Sequence, residues 1–145
     1  MIKIAFGQYD FRYRKENGKE QIFDDLRKKW VRLTPEEWVR QNWVKYILEH
    51  CRYPSSLIGI EKTLQLGELE KRFDLLVYDQ SHQPWLLMEC KAQDVELSTS
   101  VLDQVLNYHQ QIPATYLMIT NGQLSYLWKK ENGNLVTQDQ MPEWG

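Results

Sequence analysis

Short apolar runs alternate with polar breaks through most of the chain, and their spacing sets the elements. Leu57 to Leu66, Arg72 to Tyr78 and Trp85 to about Lys91 are each strand-like. Gly67-Glu68-Leu69-Glu70 and the segment from Asp79 to Pro84 are short enough to join them as hairpins, which predicts an antiparallel meander. Upstream, Thr34-Pro35-Glu36-Glu37 opens a helix: Thr34 can cap, Pro35 suits the first helical position, and Glu37 stands where a capping box needs its carboxylate. That helix should run to about His50. Val39, Trp43, Tyr46 and Ile47 share its apolar stripe, Trp38 and Val44 widen it, and Arg40, Gln41 and Lys45 point away. A second helix from Ser98 to about Gln111 buries Val101, Leu102, Val105 and Leu106, and Pro113 stops it. Tyr116 to Thr120 and Leu124 to Trp128 read as strands on either side of Asn121-Gly122. Around Asn17-Gly18, residues 9 to 24 read as a β-hairpin.

The pattern predicts an α/β (α+β) fold with a mixed five-stranded sheet flanked by helices and an N-terminal β-hairpin. A helical crossover allows one parallel pairing beside the meander. Neither repeats nor a linker divides the chain, so residues 1–145 are expected to form one domain, with 1–30 as a hairpin extension and about 34–130 as the core.

Composition narrows the function. The hydrophobic fraction is 42% with dispersed charges, as in a soluble globular protein. Apolar runs fall far short of the roughly 20 residues that span a bilayer, and no signal-peptide pattern opens the chain, so no membrane association and a cytoplasmic location are expected. Cys51 and Cys90 lack metal-site spacing and read as free thiols. The net charge of -2 argues against a uniformly basic nucleic-acid binder. Local clusters at Arg12-Tyr13-Arg14-Lys15, Arg27-Lys28-Lys29 and Lys71-Arg72 could still meet phosphates, or could be solvated faces.

Candidate chemistry lies in charges set into apolar strands. Asp74 interrupts Phe73 and Leu75-Leu76-Val77, and Glu89 and Lys91 flank Cys90 after Trp85-Leu86-Leu87-Met88. Residues two apart on a strand share a face, so Glu89 and Lys91 project together and Asp74 on the neighbouring strand can reach the same patch. Adjacent carboxylates repel unless a cation sits between them, and a hard ion such as Mg²⁺, with Mn²⁺ as substitute, suits two carboxylates while keeping waters for a phosphate. A lysine beside it could orient or deprotonate an attacking water, which is phosphodiester hydrolysis in outline. The alternative is a set of edge-strand ion pairs, Asp74 with Arg72 or Lys91 and Glu89 with Lys91.

Several segments in order, Thr34 to Gln41, Gly59-Ile60-Glu61, Lys71 to Val77, Met88 to Ala92, Gln104 to Tyr108 and Ile119 to Gly122, resemble the amino-terminal nuclease domain of type I restriction enzyme R subunits, especially its short stand-alone versions. The resemblance covers roughly residues 20 to 130. It implies a restriction-endonuclease-like core with the Asp…Asp/Glu-x-Lys signature. Asp74 and Glu89 would be Mg²⁺ ligands, with the backbone carbonyl of Cys90 as a third, and Lys91 would stand beside the water. Gln104 and Tyr108 match the Gln-x-x-x-Tyr element, with Gln104 reaching toward the site or the DNA backbone. Glu37, Glu61 and Tyr108 are auxiliary candidates, and Arg40 and Arg72 candidates for DNA contact; Glu36 and Arg40 also suit an ordinary i,i+4 pair.

The resemblance implies DNA as partner, with a homodimer or a separate specificity or motor protein as possible company. ATP-driven translocation is not implied, because the sequence has no Gly-x-x-x-x-Gly-Lys-Ser/Thr loop. A catalytically silent nucleic-acid- or protein-binding module on the same fold, and a nuclease acting on RNA or structured DNA, are the competing readings.

Overall fold

The computed structural model describes residues 2, 6–110 and 112–145, apart from the side chains of residues 66, 108 and 109. Its elements run β1 (Tyr13–Glu16), β2 (Lys19–Asp24), β3 (Lys29–Arg32), α1 (Pro35–Glu49), β4 (Ile58–Leu66), β5 (Leu69–Tyr78), β6 (Pro84–Cys90), α2 (Thr99–His109), β7 (Tyr116–Thr120), β8 (Ser125–Glu131) and β9 (Asn134–Gln138). Strands β1-β2-β3 form an antiparallel sheet, and β4-β5-β6-β7-β8-β9 form a mixed six-stranded sheet. Only the β6–β7 pairing within it is parallel, reached through the α2 crossover.

Strand alternation sends side chains to opposite faces of the larger sheet and builds two cores. Leu75, Val77, Leu86, Met88, Cys90 and Met118 pack with Val39, Trp43, Val44 and Ile47 of α1. Leu76, Leu87, Leu117, Ile119 and Trp128 pack with Val105 of α2, and Val101, Leu102 and Leu106 lie against them, as their helical spacing predicts. The sheet is thus covered by a helix on each face. Among the described residues no helix is long and apolar enough to cross a membrane.

The expected elements are present, with differences that matter for the site. The hairpin turns at Asn17-Gly18, both at positive φ, but continues into a third strand, β3. A ninth strand, turned at Asn132-Gly133, extends the larger sheet from the expected five strands to six. Thr34 caps α1 by accepting from Glu37 N–H at 3.0 Å. Glu37 does not complete the box, because its carboxylate turns to arginines. Nor do Arg40 and Gln41 point away: they are buried, 6% and 2% exposed, since Asp24 at the end of β2 and Asp74 within β5 bring carboxylates to that side of the helix. α2 is capped by Ser98, and Gln111 at its expected end lies outside the described residues.

Candidate active site

Asp74 and Glu89 come together because β5 and β6 pair antiparallel. The Leu75↔Met88 pair, extended by one step, sets Asp74 opposite Glu89. Asp74 Oδ2 accepts from the Cys90 backbone N–H at 2.8 Å, and Oδ1 accepts from Arg40 Nη1 at 3.0 Å. Burial pushes the Asp74 carboxyl up to about 7, and Glu89 and Glu36 push the same way, while the Cys90 N–H and Arg40 oppose them. Two carboxylates therefore face each other at a cost that only partly falls to Arg40.

Arg40 is the hub of the charges around them. Its Nε and Nη2 donate to Glu37 at 2.8 and 2.6 Å, and Nη2 lies 3.1 Å from Glu61. Burial alone would disfavour its charge, yet Glu37, Asp74 and Glu61 hold it firmly protonated. Arg27, from the turn after β2, ties Asp24 (2.6 Å), Glu37 (3.3 Å) and Glu61 (3.2 Å) into the same network. Arg72 closes it on Glu61 at 2.8 Å. Burial raises the pKa of Glu61, but these three guanidiniums outweigh it and leave the carboxyl low.

Glu61 also interrupts its own strand. It has φ +51° inside β4, where a residue with a Cβ is disfavoured, and the β4–β5 register runs on either side of it without a pair at Glu61 itself. Just before it, a Cβ at Gly59 would meet the Lys62 side chain, with Cγ at 2.5 Å. The backbone is bent at the point where Glu61 meets the three arginines.

These groups line a cleft of about 800 Å³. Arg27, Lys29, Arg32, Arg40 and Arg72 contribute positive charge to its wall, and Glu36, Glu37, Glu61, Asp74 and Glu89 contribute negative charge. Strand β3 forms part of that wall, so the N-terminal sheet belongs to the site rather than trailing from it.

In place of the alternative pairs of Asp74 with Arg72 or Lys91, Arg40 takes Asp74 and Arg72 takes Glu61. Lys91 falls one residue beyond β6, where its N–H donates to Thr120 O at 2.7 Å. That bond fixes its backbone beside the end of β7. Arg72 is exposed on the rim, whereas Arg40 lies beneath the cleft. Gln104 is exposed on α2 and does not line the cleft. The Tyr108 side chain lies outside the described residues. Asp24, Arg27 and Glu36 were not singled out as site residues from the sequence. Arg27 sat in a basic cluster that spacing could not distinguish from surface charge.

Across residues 35–142 the sequence matches the family described as type I restriction enzyme R protein N terminus. The chain belongs to this family. The match starts at the first residue of α1 and includes β4 to β9, so every residue of the Asp74–Glu89–Lys91 set lies in it. β1 to β3 precede it. No curated protein sequence matches significantly. Among solved structures, a DUF820 protein from Anabaena variabilis, described as a candidate nuclease, superposes with a TM-score of 0.50 at 10% identity, covering 88% of this chain and 80% of that one. That likeness is one of fold. Family and fold together are consistent with a restriction-endonuclease-like domain.

Two opposed carboxylates, with Asp74 half-buried and its pKa raised by burial and then by Glu89, are the oxygen donors a hard divalent ion such as Mg²⁺ takes while retaining water. Among the described residues no group of three His, Cys, Asp or Glu side chains is gathered closely enough to hold a metal. Asp74 and Glu89 supply two carboxylates, fewer than an all-protein cage needs.

Proposed function

We propose that this chain is a divalent-metal-dependent nuclease that hydrolyses phosphodiester bonds of DNA. The observation that carries the reading is the half-buried Asp74 opposite Glu89 at a cleft bordered by five cationic side chains. Asp74 and Glu89 would hold Mg²⁺, with the Cys90 carbonyl as backbone ligand. Bound there, the ion would offset the carboxylate repulsion and stabilise charge developing on the phosphate oxygens.

The other steps belong to the protein. Arg72 and Lys29, on the cleft wall, hold the phosphodiester backbone. Lys91, two residues beyond Glu89, orients the attacking water with Nζ and takes part in its deprotonation. Arg40 keeps Asp74 Oδ1 in place while Cys90 N–H holds Oδ2, so one carboxylate is oriented before substrate arrives.

A second reading, a silent binding module, has one observation in its favour: Asp74 already has a guanidinium partner in Arg40. Incubation of purified protein with supercoiled plasmid and Mg²⁺ separates the two. The nuclease reading expects nicking by wild type, at least a hundredfold less with Asp74→Ala and Lys91→Ala, and none in EDTA. Equal background in all samples would sink it.

A further inference from the structure

One face of the N-terminal sheet sets arginines over aromatic rings. Register across β1, β2 and β3 lines up Arg14, Gln21 and Arg32 in one row and Phe23 with Trp30 in the next, and Phe23 N–H bonds to Arg12 O. Ile22 and Asp24, of alternate or turn-facing orientation, are buried, and Asp24 is bonded to Gln41 of α1, so one side of the sheet is held against the body. The other side keeps its arginines in solvent. Arg12 lies over the Phe23 ring at 3.8 Å and Arg14 over Trp30 at 4.5 Å, and the two rings meet edge to face at 5.2 Å.

Two acids temper this face: Glu16 lies 2.7 Å from Arg14, and Asp25 lies 3.6 Å from Arg12. Both pairs are exposed, so a polyanion can compete for them at little cost. Arg32 lines the cleft as well as ending the Arg14–Gln21–Arg32 row. The face and the cleft are therefore continuous.

We infer that β1–β3 form a platform for a single-stranded stretch of nucleic acid leading into the cleft, with Arg12, Arg14 and Arg32 on phosphates and bases stacking on Phe23, Trp30 and the guanidinium planes above them. The inference rests on the nuclease reading for its direction, since it supplies the strand on which the cleft acts. Stacked arginines and aromatic rings suit unpaired bases, because every base offers a π-face, whereas a duplex hides its base faces and offers the sheet only backbone. Positive charge on this sheet also reconciles nucleic-acid binding with the overall net charge of -2.

Fluorescence anisotropy in EDTA, using a labelled single-stranded DNA of about 20 nucleotides and its duplex, tests this directly. The expected result is tighter binding of the single strand. An Arg12→Gln/Arg14→Gln/Arg32→Gln variant should bind it at least tenfold more weakly, with the slope of log K against log salt reduced by about two, since each phosphate contact contributes about 0.7. Trp30→Leu should weaken single-strand binding several-fold and leave duplex binding unchanged. Wild-type affinity and slope in the triple variant, with its thermal midpoint unchanged, would overturn the platform, as would equal losses on both DNAs in Trp30→Leu. Cleavage with unchanged binding in the triple variant refutes the platform alone, and platform-dependent binding without any metal-dependent cleavage refutes the nuclease reading alone.

Discussion

Replacing Arg40 with Met keeps much of the side-chain stem and removes the guanidinium. Four contacts disappear: two hydrogen bonds to Glu37, one to Asp74 and an ion pair to Glu61. Their consequences differ. Glu61 keeps Arg27 and Arg72, and Glu37 keeps Arg27 and Gln41. Asp74 is left with the Cys90 N–H while still facing Glu89. Breaking a buried pair from one side costs about 3–5 kcal/mol, and the surviving partners place this case near the lower end, at about 3. With a urea m-value of about 2 kcal/mol/M, the midpoint should fall by about 1.5 M. Without Arg40 the Asp74 carboxyl, already raised by burial and Glu89, must either take up a proton or stay charged without a cation, and this accounts for part of the loss, so Arg40→Met should cost about 1–2 kcal/mol less in an Asp74→Asn background. Equilibrium urea unfolding of the four proteins in EDTA measures the cycle. A loss below about 0.5 kcal/mol for Arg40→Met, or strictly additive single effects, would refute Arg40 as the electrostatic support of Asp74.

Two further predictions concern what holds the site together. Thr120 Oγ1 accepts from Trp43 Nε1 and Gly122 N–H, both at 3.0 Å, and meets Ser125 Oγ at 2.8 Å, so Thr120→Val should cost about 2 kcal/mol in thermal or urea unfolding by stranding buried donors. An unchanged stability would show that these bonds do not hold α1 to the sheet. For Asp24, burial pushes the carboxyl up, but hydrogen bonds from Arg27 and Gln41 outweigh it and leave the pKa below the ordinary value. A folded pKa below the unfolded one, about 3.9, gives stability that is present above that value and lost as pH falls through the folded pKa. Stability measured from pH 6 to 3 should therefore fall less steeply at the acid end in Asp24→Asn than in wild type, and parallel curves would contradict this.

Much of the fold was legible because local signals and long-range packing agree. Thr34-Pro35 starts α1, Asn17-Gly18 turns the first hairpin, and the apolar positions of both helices are those that pack. β9 had a readable signal in Asn132-Gly133, but its strand is mostly exposed and lacks a strong apolar pattern. β3 had none: the turn before it uses Lys28 at positive φ and the Asp24 carboxylate, which accepts from the N–H groups of Leu26 and Arg27, in place of Gly or Pro. Asp74 and Glu89 were legible because alternation fixes a strand's faces. The role of Arg40 was not, because helical periodicity marks it polar and only the pairing of distant strands supplies the carboxylates that bury it.

Diffraction from crystals soaked in Mn²⁺, collected at the manganese edge, tests the central claim most directly. One anomalous peak is expected between Asp74 and Glu89, about 2.0–2.3 Å from an oxygen of each. Soaked crystals with no peak there, and with Asp74 still bound only to Arg40 and Cys90 N–H, would contradict it.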